Sequence, residues 1–253
     1  SGLKYPSSVQ ALAFTGGFSG AFPDDFFSSL ESMSSLEILT LCDYDHSLSA
    51  VDQNPEGRSP NFFSGEVPEG FSRLGSKLTM LSLAFNQFTS SDGLPSALKS
   101  YSQATALYLQ YNRFSGDIDS EGFEWPNLQV LSVHNNTLSG VFPTALFMQS
   151  PYWKTIDISN NPNLGKPASE AGNSSYSAPL PGGLCNLLPS PYSQKSATLT
   201  QFNSEHTAFT CSSDCWIQAV SYESRYGFYV TLLNYDVCPL PQDVYGLSYL
   251  FET

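Results

Sequence analysis

The sequence predicts an α/β, strongly β-rich solenoid. Short parallel strands line its concave face, and irregular and 3-10 segments return along its convex side. Three observations carry this expectation. One apolar ladder recurs six times, its spacing is close to 25 residues, and five copies are followed by an inward-turning Asn and four by a Ser-Gly pair. The clearest copy is Leu128-Gln129-Val130-Leu131-Ser132-Val133-His134-Asn135-Asn136-Thr137-Leu138-Ser139-Gly140-Val141-Phe142-Pro143. Self-similarity at such a period dictates architecture, because each unit buries its apolar face only against its neighbours.

The strands come first. Ladder residues recur as Val9/Leu12/Phe14, Leu36/Leu39/Leu41, Leu78/Leu81/Leu83, Ala104/Leu107/Leu109, Leu128/Leu131/Val133 and Trp153/Ile156/Ile158. The middle ladder residue advances by 27, 42, 26, 24 and 25 positions. The long step contains an insertion. The ladder Asn is due where Tyr44 stands, and Asn61-Phe62-Phe63-Ser64-Gly65-Glu66-Val67-Pro68 resumes the motif 17 residues later. Within each ladder the L-x-L alternation marks a strand whose two apolar side chains point inward.

The bends follow. Asn86, Asn112, Asn136 and Asn161 stand where an inward side chain would bond the backbone groups freed as the chain leaves the strand. The pairs Ser19-Gly20, Ser64-Gly65, Ser115-Gly116 and Ser139-Gly140 suit a turn with positive φ. Pro23, Pro68, Pro95 and Pro143 then fix φ on the return path and discourage another ladder strand. Phe26, Phe71 and Phe147 are candidates to fill the convex side of the core.

These residues resemble the leucine-rich-repeat family, in its plant-type subfamily with the pattern L-x-x-L-x-L-x-x-N-x-L-S-G-x-I-P. The resemblance covers about residues 9–167. It departs from the pattern at Asp119, which replaces a Pro, at Asn86-Gln87-Phe88-Thr89, which lacks the Ser-Gly, and at Gly17 and Tyr44, which replace ladder Asn residues. Members of this subfamily serve as receptor ectodomains, enzyme inhibitors and cell-wall proteins. The resemblance therefore implies a binding scaffold without a catalytic centre.

Composition bounds the partners. The chain has 253 residues, 41% of them hydrophobic and 14% aromatic, which is ample for a core. Only 13% are charged, so hydroxyls and amides carry much of the surface, as suits an extracellular protein. A net charge of −13 with ten Lys and Arg argues against nucleic acid and anionic membranes. No run reaches the roughly 18 apolar residues of a membrane span. Ser1-Gly2-Leu3-Lys4 lacks the apolar core of a signal peptide, so the chain reads as a processed or excised product.

The expected organisation is a solenoid over 1–190, with insertions at about 45–60 and 166–180, and a Cys- and Tyr-rich C-terminal cap or docking region over 191–253. Cys185, Cys211, Cys215 and Cys238 read as two disulfides stapling that cap, in preference to a zinc site with His206. Cys42 is left over. Asn135-Asn136-Thr137 and Asn173-Ser174-Ser175 make Asn135 and Asn173 glycosylation acceptors. Near the C-terminus, residues 197–203 and 226–233 read as further strands, and Tyr222, Tyr226, Tyr229, Tyr235, Tyr245, Tyr249 and Phe251 are many aromatics for a cap.

Side chains between the ladder residues face the concave side. There Phe85, Tyr108 and Tyr111 cluster on adjacent coils, with Gln110, His134 and Asp157 nearby. Aromatics flanked by amides and a carboxylate suit a peptide anchor or a sugar ring. Ser132, His134 and Asp157 also raise a nucleophile–base–orienter reading, but an open sheet would leave His134 a surface residue and exclude little water. No phosphate loop, zinc-protease or calcium-loop motif occurs. The expectation is a non-enzymatic extracellular protein, without cofactor or metal, that contacts proteins, itself or a glycan. It is either a glycoprotein subunit of an assembly or a recognition module.

Overall fold

The computed structural model describes residues 6–20, 22, 25–42, 61–118, 122–166, 170, 178–179, 199, 201–204, 206–210 and 231–233. Each ladder forms one strand of a parallel eight-stranded sheet. In spatial order the strands are β1 (Ala11–Ala13), β2 (Ile38–Thr40), β4 (Met80–Ser82), β6 (Ala106–Tyr108), β8 (Val130–Ser132), β10 (Thr155–Asp157), β13 (Gln201–Asn203) and β15 (Thr231–Leu233). Register follows the repeat, with Leu39 opposite Leu81, Leu81 opposite Leu107, and Leu107 opposite Leu131. The last two strands fall within the expected stretches 197–203 and 226–233.

Behind the sheet, the inward ladder residues form one continuous core. Leu39, Leu81, Leu107, Leu131 and Ile156 are wholly buried. Each such aliphatic contributes roughly 1.5–3 kcal/mol. The convex side carries α1 (Phe26–Ser32), α2 (Thr144–Gln149) and 3-10 turns at Glu69–Leu74 and Ser96–Leu98. Phe71 and Phe147 are buried there, and Phe26 packs partly buried against the core. The polar tips of the convex aromatics are satisfied: Trp125 Nε1 donates to the Leu98 carbonyl at 2.9 Å and Trp153 Nε1 to that of Phe147 at 3.1 Å.

Between the two sides runs a spine of inward Asn side chains. Asn112 Oδ1 accepts from the Phe88 amide at 3.0 Å, and its Nδ2 faces the carbonyls of Leu83, Leu109 and Gln110 at 2.9–3.3 Å. Asn86, Asn136 and Asn161 repeat this geometry one coil apart. Asn61 completes the row. It accepts from the amides of Gly17 and Phe18 and donates to the carbonyls of Phe14 and Leu41. The ladder Asn of the interrupted coil is therefore supplied from beyond the insertion.

The Ser-Gly segments do more than turn. Gly20, Gly65, Gly116 and Gly140 have φ between 83° and 94°, as expected. Yet the residues around the last three, with the equivalent segments of the coils that lack Ser-Gly, build a second parallel sheet: β3 (Ser64–Glu66), β5 (Gln87–Ser90), β7 (Arg113–Asp117), β9 (Thr137–Gly140) and β11 (Asn163–Leu164). This corrects the expectation of an irregular return on that flank. Equivalent segments stack coil on coil, so their N–H and C=O groups find partners in the adjacent coil. A short pair, β12 (Ala178–Pro179) with β14 (Phe209–Thr210), lies beyond the regular repeats.

The insertion at 45–60, the acceptor Asn173, the cysteines 185, 211, 215 and 238, and the C-terminal tyrosines lie outside the described residues. Among the described residues, no helix is long and apolar enough to cross a membrane.

Candidate recognition face

On the concave side, the residue just before Asn86, Asn112, Asn136 and Asn161 adopts left-handed backbone: Phe85 (φ 57°), Tyr111 (φ 55°), Asn135 (φ 53°) and Asn160 (φ 52°). The strand ends there, and the chain must twist to send the next side chain inward. Asn tolerates this conformation. For an aromatic residue it costs about 1–2 kcal/mol. Two consecutive coils nevertheless place aromatics there, and their rings meet. Phe85 stacks on Tyr111 with centroids 4.5 Å apart and 14° between planes, and Tyr111 meets His134 edge-on at 5.1 Å.

Beneath the rings lies a polar network. His134 Nδ1 is 2.8 Å from Ser132 Oγ and 3.3 Å from Asp157 Oδ2. Asp157 Oδ1 accepts from the Ser159 hydroxyl at 2.7 Å and the Ser159 amide at 3.1 Å. A carboxylate beside Nδ1 favours the Nδ1–H tautomer. Burial holds the imidazole below its usual pKa, and the Asp157 charge partly opposes this. Burial, aided by the same carboxylate, pushes the Tyr111 phenol up, and burial alone does so for Tyr108.

His134 is 5% exposed and Asp157 4%, so neither is the surface residue an open sheet would leave. Ser132 on its own coil, and Asp157 and the Tyr111 edge on the two neighbouring coils, close around the imidazole. Serine and carboxylate both approach Nδ1. A nucleophile–base–orienter relay needs them on opposite ring nitrogens, so this trio is a packed polar cluster rather than a relay.

The family profile described as Leucine Rich Repeat matches residues 127–148, the coil of β8 and β9. Those residues repeat, in register, the ladder and Asn spine of the other coils. Residues 127–148 form a leucine-rich repeat, and the chain has the leucine-rich-repeat fold.

Solved structures share this leucine-rich-repeat fold. A TDR receptor aligns at TM-score 0.55 and 20% identity, over 87% of this chain and 34% of its own. A plant ice-binding protein aligns at 0.51 and 20%, over 80% of this chain and 50% of its own. The PEPR1-AtPEP1 structure aligns at 0.50 and 26%, over 81% of this chain and 26% of its own. The chain thus spans half or less of the length of these neighbours. No curated protein matches it in sequence.

Within this leucine-rich-repeat face, Phe85, Tyr111, His134 and Asp157 form one connected group. Tyr108 joins from the side, packing with Phe85 against buried Cys42 and Ala84. Cys42 Sγ lies 3.1 Å from Ser82 Oγ. Gln110 is wholly buried between the coils of Ala84 and His134. Asn135, partly exposed, stands at the rim one residue beyond His134. Ser159 is the participant the sequence reading passed over. Its signal was the Asp157-x-Ser159 spacing, which puts both side chains on one face of a strand. Among the described residues, no three His, Cys, Asp or Glu side chains cluster as a metal site.

Proposed function

We propose that this chain is a non-enzymatic extracellular interaction protein that recognises a protein or peptide on its concave face. The carrying observation is the Phe85–Tyr111 stack, which sets two aromatics in left-handed backbone where Asn serves on the following coils. Strained backbone over a buried polar network is a feature of binding sites. Partly exposed tyrosines provide anchors of large area and few rotatable bonds. Glycosylation at Asn135 would frame the site at its rim.

The test uses a phage library of random dodecapeptides selected against the purified chain. Tyr108→Ala combined with Tyr111→Ala should weaken the selected peptides about a hundredfold. The circular dichroism spectrum should not change. Undiminished binding by the double variant would reject the reading.

A second reading, a subunit of a larger assembly, is favoured by a different place. On the first coil Val9, Leu12 and Phe14 are only partly buried, and Phe18 and Phe62 are 48% and 47% exposed. Contact there would be heterologous and could propagate. Sedimentation at rising concentration checks it: mass that stays monomeric throughout counts against self-assembly.

A further inference from the structure

Among the described residues, the buried side-chain polar atoms without a hydrogen-bond partner are Gln110 Nε2 and Oε1. The residues at the equivalent position of the neighbouring coils show how unusual this is. Cys42 lies against Ser82, His134 against Ser132 and Asp157, and Ser159 bonds Asp157. Ala84 has nothing to satisfy. Gln110 follows Tyr108 by two residues on the same face, between Ala84 and His134, and its amide meets no complementary group. A Leu or Ala there would avoid the penalty of an unserved buried amide. The next residue, Tyr111, is one of the two aromatics in left-handed backbone. Two adjacent residues therefore both sacrifice stability, at the centre of the aromatic patch.

We propose that Gln110 is the polar reader of this face, pairing with the main chain of an extended peptide. This rests on the recognition reading above and adds the chemistry of the ligand. A carboxamide offers one acceptor and one donor side by side. One residue of an extended chain presents its N–H and C=O along the same edge, as strands do to each other. Oε1 accepts from that N–H while Nε2 donates to that C=O. The rings of Phe85 and Tyr108, with Cys42 and Ala84, form an apolar wall for a neighbouring side chain of the peptide. Because Gln110 has no exposed surface, a neighbouring side chain must give way first. In this proposal that role falls to Tyr111, the next residue. It is partly exposed, its hydroxyl makes no hydrogen bond among the described residues, and the Phe85 and His134 rings hold it.

The experiment compares wild type, Gln110→Leu and the Tyr108→Ala/Tyr111→Ala double variant, using dodecapeptides selected on wild type. Gln110→Leu should raise the thermal midpoint by about 2–4 °C, because it removes an unpaired buried amide. It should also weaken the peptides about tenfold or more. A scan of singly N-methylated peptides should find one position whose methylation weakens wild-type binding equally but leaves Gln110→Leu binding unchanged. If Gln110→Leu binds as wild type does while the tyrosine variant fails, recognition stands and the Gln110 assignment falls. If all three bind alike, or no peptide is selected, both fall. Binders found only on an oligosaccharide array overturn the peptide assignment.

Discussion

The Asn spine and the concave patch stand back to back in the same coils and follow opposite rules. Along the spine, Asn61, Asn86, Asn112, Asn136 and Asn161 are nine-tenths or more buried, and each bonds main-chain groups through both its amide oxygen and its amide nitrogen. In the patch a few residues away, Gln110 is equally buried and its side-chain amide bonds nothing, while Phe85 and Tyr111 accept a backbone state unsuited to them. The repeated positions secure the fold. The positions that depart from the repeat are free to be spent on contact, because the spine beside them does not depend on them.

The largest expected effect lies on the spine. Asn136→Ala strands the Phe114 amide and takes one of two donors from each of the carbonyls of Leu109, Val133 and His134. Chemical denaturation should report a loss of about 3–5 kcal/mol. A loss under about 1 kcal/mol would mean the spine carries much less of the fold than its geometry implies.

Next come two glycines of the second sheet that share positive φ but differ in room. A Cβ on Gly116 would lie 1.9 Å from the Ser91 carbonyl oxygen, whereas one on Gly65 meets nothing within 4 Å. Gly65→Ala should cost about 1–2 kcal/mol from backbone conformation alone. Gly116→Ala should cost clearly more, since backbone must move. Equal melting temperatures for the two would show that conformation, not coil-to-coil contact, governs this flank.

The smallest effect belongs to the patch and depends on pH. The His134 pKa is lower folded than unfolded, so the unfolded chain binds the extra proton as acidity rises. Stability from this group is complete above the ordinary histidine value of about 6.5 and is lost as pH falls towards the folded pKa. Melting temperatures between about pH 7 and pH 5 should fall more steeply for wild type than for His134→Gln. Parallel slopes would show that this imidazole contributes no pH dependence.

Much of the fold was legible because it repeats. Ladder spacing locates the first six strands of the concave sheet, and the late return of the motif marks Asn61. The second sheet was not legible. Its residues carry turn chemistry, and they pair only because an equivalent segment lies one coil away. The site divided in the same way. Period alone brought Phe85, Tyr111, His134 and Asp157 onto neighbouring coils. The burial of His134 and the isolation of Gln110 depend on which side chains stand two residues away and on the adjacent coils, and no repeat pattern encodes these.

The late Asn61 has one more implication. Its coil closes with ordinary hydrogen bonds although the closing side chain comes 17 residues later in the sequence than in a regular repeat. That junction is therefore a permissive grafting point, opening beside Cys42 at the edge of the aromatic patch. New loops can be tried there by evolution or by an engineer while every neighbouring coil keeps its register.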